Sequence, residues 1–434
     1  MDAKEFPRRR KRLMNMMGDD SIAILPTSSV HMRNRDIEHS FRPDSDFYYL
    51  SGYPEPEAVA VLIPGRPAGE YVLFCRDKDP KMEIWYGRRA GLEGACDIYA
   101  ADDAFPIEDM DDILPGLLED QDRIYYNMGN DQAFDQRVIG WVNQVRERIR
   151  AGVHAPEEFI SLNHLLHDMR LYKSRQEIKA LRQAARISAV AHKRAAQACQ
   201  PGMMEYQLEA ELVHEFIYQG ARSPAYPPIV GSGANSCILH YIENAEEMRD
   251  GDILLIDAGA EYEGYASDIS RTLPVNGKFN AAQKAIYNIV LKAQLAAIEQ
   301  VQPGNHWIDP HDAAVKVITE GLVALGILKG RVRTLIKDKA YTKYYMHRTG
   351  HWLGMDVHDV GDYKIDGDWR MLEPGMVMTV EPGLYLPAAR GLARKWWNIG
   401  VRIEDDVLVT RDGHDVLSKD MPKTVAEIEK LMAH

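Results

Sequence analysis

Cysteine is scarce in this chain: Cys75, Cys96, Cys199 and Cys237 are the only four, and no two form a C-x-x-C pair. A disulfide framework and a thiolate zinc site are therefore not expected. Long apolar runs are missing too, and none approaches the roughly 18–20 residues that span a bilayer. The N-terminus, MDAKEFPRRRKRLM, leads into no apolar stretch of signal-peptide type, so the expected location is the cytoplasm. Positive charge is in deficit, with 52 Lys and Arg against 65 Asp and Glu, a net of −13. That balance argues against general affinity for nucleic acid or anionic membranes. The one basic run, Arg8 to Arg12, precedes Leu13, Met14, Met16 and Met17 and reads as the polar face of an N-terminal helix.

What is present fits an ordinary soluble globular protein. Hydrophobic residues make up 45% and charged ones 27% of 434 residues, enough for two or three domains with normal cores. The first 172 residues mix short apolar runs with turn residues. Ala58 to Ile63, ended by Pro64-Gly65, and Tyr71 to Cys75 read as strands, as does Arg123 to Tyr126. Pro115 to Leu118 and Ala133 to Arg148 read as helical. This alternation predicts an α/β domain.

The character changes near residue 173. Ser174-x-x-Glu177 matches a capping box and opens a helical pattern that runs to Gln200, where Pro201-Gly202 stops it. A second helix is expected from Glu205 to Gln219. Strand-like pieces follow at Pro228–Val230 and Cys237–Tyr241, and Asp252–Gly259 with Gly264–Leu273 reads as a hairpin. Two more helices, Ala281–Val301 and Pro310–Leu325, precede strands around Met376–Glu381 and Val401–Val409. The order helix-helix-strands, given twice, hints at a duplicated half-domain.

The hairpin carries the first chemical signal. If Glu261 pairs with Gly264 across a two-residue loop, Asp257 falls opposite Asp268 on the same face, with Cβ atoms about 4.5–5.5 Å apart. Two carboxylates that close repel unless a proton or a cation lies between them, and a divalent cation is the simplest resolution. The alternative is an exposed hairpin with the carboxylates splayed apart. Its apolar flanks favour burial, which raises the cost of unpaired charge.

Histidines supply the second signal. In Met346-His347-Arg348-Thr349-Gly350-His351-Trp352, two of them stand four apart, on one side of a helix or strand, and His358 follows. Neutral imidazole is a common ligand for first-row divalent metals. Glu381 ends an apolar strand at Pro382-Gly383. In Val401 to Val407, Arg402, Glu404 and Asp406 face one way, a pattern that by itself more often marks a solvated face. Together the set is two aspartates, one histidine and two glutamates. Such ligands suit a pair of Mn, Co, Fe or Zn ions, which would bridge a water and clamp a hydrolytic transition state.

In these contexts the order Asp257, Asp268, His351, Glu381, Glu404 closely resembles the pita-bread metallopeptidases, and among them the Xaa-Pro aminopeptidases, or aminopeptidases P. The motifs are IDAGAEYEGYASDISRT, HWLGMDVHDVG, TVEPGLY and VRIEDD, with SDFYYLSGYPEPEAVAVL and EIWYGRR in the N-terminal half. The resemblance covers nearly the whole chain. It implies a smaller N-terminal α/β domain, residues 1–172, with a part in oligomerisation and the substrate site. It also implies a pita-bread catalytic domain, residues 173–434, built on a curved, pseudo-twofold sheet.

By the same resemblance, Asp257 binds one of two divalent ions, Mn²⁺ foremost, Zn²⁺, Co²⁺ or Fe²⁺ otherwise. Asp268 and Glu404 bridge both ions, and His351 and Glu381 complete the ligand set of the other ion. Glu381 doubles as general base. His240, His358 and His347 belong to the substrate side, and Arg402 orients carboxylates. Trp85 resembles an aromatic that reaches a neighbouring subunit's site, implying a homo-oligomer, dimer or tetramer. The implied substrates are peptides with proline second. Prolidase, limited to dipeptides, uses the same ligands and is the nearest alternative; a non-catalytic pita-bread binding module is the distant one. One departure is visible: many relatives read His-Gly where this chain has His347-Arg348, so the substrate pocket is expected to differ in shape or charge.

Overall fold

The computed structural model describes residues 1–433, and its chain divides into two compact units, Met1–His167 and Asp168–His434. The first opens on the helix Glu5–Met17, whose buried face is Arg9, Arg10, Leu13, Met14 and Met17. The basic run is therefore not simply a solvated face. Arg9 and Arg10 fall on the apolar side of the helix, and each finds partners there. Arg9 donates to the Tyr49 carbonyl at 3.0 Å and lies over the Tyr49 ring. Arg10 donates to the Leu50 and Ala100 carbonyls and stacks on Tyr71.

A six-stranded sheet forms the centre of this unit. Ser21–Pro26 lies between antiparallel Val59–Leu62 and parallel Arg123–Tyr125, with Tyr71–Cys75, Asp103–Pro106 and Glu158–Ile160 outside them. Strands this apolar need cover on their faces. Helices Met110–Leu117 and Gln132–Glu147 join them in one core through Leu114, Val138, Trp141 and Val142.

The second unit starts with the helix Arg175–Ala198, entered through a complete Ser174/Glu177 capping box. Helix Glu205–Tyr218 packs on it and leads to a three-stranded antiparallel sheet of Ile229–Ser232, Ile253–Asp257 and Ser270–Pro274. The pattern then repeats. Helices Ala281–Ile298 and Asp309–Ala324 pack together, and two strand pairings follow. Val377–Val380 pairs with Asp405–Thr410, and Gly383–Leu386 pairs with Ile399–Arg402. The halves are sewn together where Ser270–Pro274 meets Ile399–Arg402. There Thr272 Oγ1 bonds both the carbonyl and the N–H of Arg402, and the Glu404 N–H donates to the Ser270 carbonyl.

Two sequence expectations change here. Residues 238–241 are a loop after the turn Gly233–Cys237, not a strand. The acidic hairpin also has a different register. Its two-residue loop is Glu263-Gly264, with φ of 52° and 78°, so Tyr262 pairs with Tyr265 and Asp257 with Ser270. A tight hairpin of this hand needs positive φ at both central residues, which favours glycine at the second. The shift is by two residues, so Asp257 and Asp268 keep a common face, as diagonal neighbours rather than directly opposed. Gly259 takes the place opposite Asp268, where a Cβ would come within 1.6 Å of the Ser267 carbonyl oxygen.

Candidate metal centre

Nine residues singled out in the sequence, Asp257, Asp268, His351, Glu381, Glu404, His240, His347, His358 and Arg402, line a single cavity of about 270 Å³ in the second unit. Trp85 lies in the first unit, on the helix Pro80–Tyr86, and is 81% exposed.

The hairpin supplies the two aspartates. Tyr226 Oη lies 2.6 Å from Asp257 Oδ1 and 2.5 Å from Asp268 Oδ1. One hydroxyl proton thus faces two carboxylates. Arg402 Nη2 donates to Asp257 Oδ2 at 2.6 Å, and its Nε donates to Ser270 Oγ. Ser270 in turn donates to Glu404 Oε2 at 2.6 Å. Glu404 sits at the step between two strand pairings, so the charged face of Arg402, Glu404 and Asp406 points inward and is buried, not solvated.

The histidine segment is neither helix nor strand. It runs as a loop along Val377–Val380, held where the Thr379 N–H donates to the His351 carbonyl and the Glu381 N–H to the Thr349 carbonyl. Gly350 allows this approach, since a Cβ there would meet the Thr379 carbonyl oxygen at 2.0 Å. His351 Nδ1 lies 2.9 Å from the Trp352 carbonyl, an acceptor only, so Nδ1 carries a hydrogen and Nε2 faces the cavity, the nitrogen that would ligate a cation in place of its proton. That Nε2 is 3.3 Å from Asp268 Oδ2 and 3.7 Å from Glu381 Oε1.

His347 is oriented the same way. Its Nδ1 faces the Arg348 carbonyl at 2.7 Å, and Nε2 accepts from Tyr385 Oη at 2.9 Å, while Tyr385 accepts from Arg402 Nη1. Burial, reinforced by the Arg402 charge, lowers its pKa to about 3 and keeps the ring neutral. His358 stands edge-on to His351 with centroids 4.3 Å apart, and burial lowers its pKa as well.

Electrostatically the cavity holds too little positive charge. Burial raises Asp257 to about 6 against the pull of Arg402, and raises Glu381 to about 7. Burial and then the charges of Asp268, Glu381 and Asp257 push Glu404 well above the carboxylate range. His351, which burial alone would lower, is raised to about 9 by Asp268 and Glu381. Four carboxylates face the Arg402 guanidinium and the His351 imidazole, with Arg348 on the wall as the one further cation. Asp268, His351 and Glu404 each present a donor atom within 4.8 Å of the others, a spacing that can hold a cation. Hard oxygen donors with one nitrogen fit a first-row divalent metal.

Tyr226, Ser270, Tyr385 and Asp406, whose carboxylate accepts from the Asp268 N–H at 3.1 Å, were not singled out for roles from sequence. Ser270 and Tyr385 lie inside the quoted motifs. Tyr226, in Ala225-Tyr226-Pro227-Pro228, has no spacing signal at all.

Comparisons with known proteins bear on this geometry. Residues 179–411 match metallopeptidase family M24, and residues 6–125 match the N-terminal domain of aminopeptidase P. The chain belongs to metallopeptidase family M24. The Xaa-Pro aminopeptidase of Escherichia coli strain K12 is 45% identical to this metallopeptidase over 430 residues, 99% of this chain and 97% of its own. The solved structure of Pseudomonas aeruginosa aminopeptidase PepP is 58% identical, with a TM-score of 0.99, covering 100% of this chain and 98% of that one. A zinc-substituted E. coli aminopeptidase P in complex with product is 45% identical, with a TM-score of 0.97 over 100% of this chain and 98% of that one. The second unit thus has the pita-bread fold, preceded by an aminopeptidase P N-terminal domain.

Proposed function

We propose that this metallopeptidase hydrolyses the Xaa-Pro bond at the N-terminus of peptides. The observation that carries the reading is the under-neutralised cavity in which Asp268, His351 and Glu404 converge, with Asp257 and Glu381 on its wall. Full-length likeness to Xaa-Pro aminopeptidases supports the substrate class. Two divalent ions, Mn²⁺ foremost, would be held by Asp257, Asp268, His351, Glu381 and Glu404. When bound, such a pair acidifies water and polarises a carbonyl.

The protein's own groups do the rest. Glu381 is the general base, placed to take a proton from the attacking water and pass it to the departing proline nitrogen. His240 and His358 are the donors to the substrate carbonyl as charge develops there, and neutral His347 is a further residue of the substrate pocket. Arg402 fixes Asp257 directly and Glu404 through Ser270, so the carboxylates keep their aim. An Xaa-Pro bond has no N–H to recognise, so selection falls to a pocket shaped to the pyrrolidine ring.

We place residues 1–172 in oligomerisation and in completing the substrate site, with exposed Trp85 reaching a neighbouring subunit in a dimer or tetramer. Four free cysteines, Cys75 and Cys199 buried among them, accord with a reducing cytoplasm. The competing reading is a prolidase, for which the same cavity serves. Assays with Mn²⁺ on an Xaa-Pro dipeptide and an Xaa-Pro-Yaa-Zaa tetrapeptide separate the two. Cleavage of the tetrapeptide is expected; activity confined to the dipeptide overturns the proposal.

A further inference from the structure

The metal cavity has a neighbour of opposite character. A second cavity, about 420 Å³, borders it, and His347 and Arg348 belong to both walls. Where the first is rich in carboxylates, the second carries Arg348 and Lys339 against a single acid, Asp312. His311 adds no charge, because burial together with the Arg348 charge lowers its pKa to about 4.

Arg348 is exposed, and among the described residues its guanidinium makes no salt bridge; it rests 5.7 Å from the centroid of Trp369. An arginine fork offers five donors in a geometry that matches a carboxylate, so an unmatched one at the junction of two cavities is poised for an anionic ligand. A peptide has its own polarity, ammonium first and carboxylate last. It matches the two cavities one way round, with the N-terminus among the metal-site carboxylates and the chain leaving past His347 and Arg348.

From this juxtaposition we infer that Arg348 is a specificity-determining residue that binds a carboxylate downstream of the scissile bond. That carboxylate is either the C-terminus of a short peptide or an acidic side chain just after the proline. The inference rests on the Xaa-Pro reading.

The test uses the Mn²⁺-loaded full chain and three substrates, Ala-Pro-Leu, its C-terminal amide and the amide of Ala-Pro-Glu. Calorimetric binding of the product Pro-Leu and its amide provides a second readout. In the wild type the free acid is expected to show a KM about tenfold below that of Ala-Pro-Leu amide, with kcat within about twofold. Arg348→Gln should abolish this difference and weaken Pro-Leu, but not its amide, by about tenfold. A low KM for Ala-Pro-Glu amide assigns the site to a side chain; a low KM for the free acid alone assigns it to the C-terminus. If the wild type cleaves none of these peptides, the Xaa-Pro reading fails. If it cleaves all three with the same KM, that reading stands and the role of Arg348 is overturned. The role is equally overturned if Arg348→Gln keeps the difference, or if Lys339→Gln alone removes it.

Discussion

Glu404 and Asp405 are adjacent in sequence and both are buried, at 2% and 0% exposure, yet they enter different surroundings. Asp405 points to a cluster that answers its charge. Arg271 Nη2 lies 2.8 Å from one oxygen and Lys423 Nζ 2.7 Å from the other, and Ser418 and Gln294 donate as well. Burial alone would raise this carboxyl, but Arg271 and Lys423 hold it below the usual range. Glu404, in the step between the two strand pairings, points into the cavity where three more carboxylates face the Arg402 guanidinium and the His351 imidazole, and it is pushed well up. The first cluster is complete as a structural ion pair. The second is complete only with added positive charge. A charge deficit, rather than the density of acids, distinguishes a metal site from a buried salt bridge.

The largest effect expected from this contrast is in Asp268→Ala, which removes a carboxylate from the deficient cluster. Hydrolysis should fall by about a thousandfold or more, with loss of bound metal, as measured by kcat/KM and elemental analysis. Asp405→Asn should do the reverse. It strands Arg271 without a full counter-charge, so unfolding in denaturant should show a loss of about 3–5 kcal/mol, with metal stoichiometry retained. Loss of metal in Asp405→Asn with unchanged stability would break the comparison.

A pH effect of intermediate size sharpens it. In the metal-free protein Asp257, Glu381 and His351 have raised pKa values of about 6, 7 and 9. Each holds its proton more tightly in the folded chain than in the unfolded one, so these groups add stability as pH falls from about 9 to about 4.5. Metal competes for the same sites and should bind more tightly as pH rises through that window. Thermal melts with and without Mn²⁺ from pH 5 to 9 measure both trends. Asp405, with its lowered pKa, contributes stability that is present above about pH 4 and lost only at stronger acid. The smallest effect is expected in Tyr226→Phe, which removes one donor between Asp257 and Asp268. The metal-free protein should lose about 1–3 kcal/mol, read from its melting curve.

Much of this was legible in the chain, for reasons that differ by residue. The Ser174/Glu177 cap is local chemistry and needs no tertiary context. Parity along the hairpin put Asp257 and Asp268 on one face, because a strand alternates with period two. The register escaped, since it is fixed by the two residues that accept positive φ, and only Gly264 advertises itself. The spacing of His347 and His351 marked a site but not a conformation, as a loop pinned to Val377–Val380 satisfies it as well as a helix would. Alternation at Arg402, Glu404 and Asp406 showed a charged face without showing that the other half of the fold covers it. Tyr226 was silent, because its role arises only when a distant hairpin is placed against it. Arg9 and Arg10 misled for a related reason: their partners are main-chain carbonyls and rings that sequence spacing does not reveal.

Metal analysis of the dialysed wild type beside Asp268→Ala, followed by Mn²⁺ titration of Xaa-Pro-Yaa cleavage, tests the central claim most directly. The charge-deficit account predicts about two ions per wild-type chain, activity that levels off at that ratio, and loss of both in the variant. Cleavage independent of metal, or full metal retention in Asp268→Ala, would contradict it.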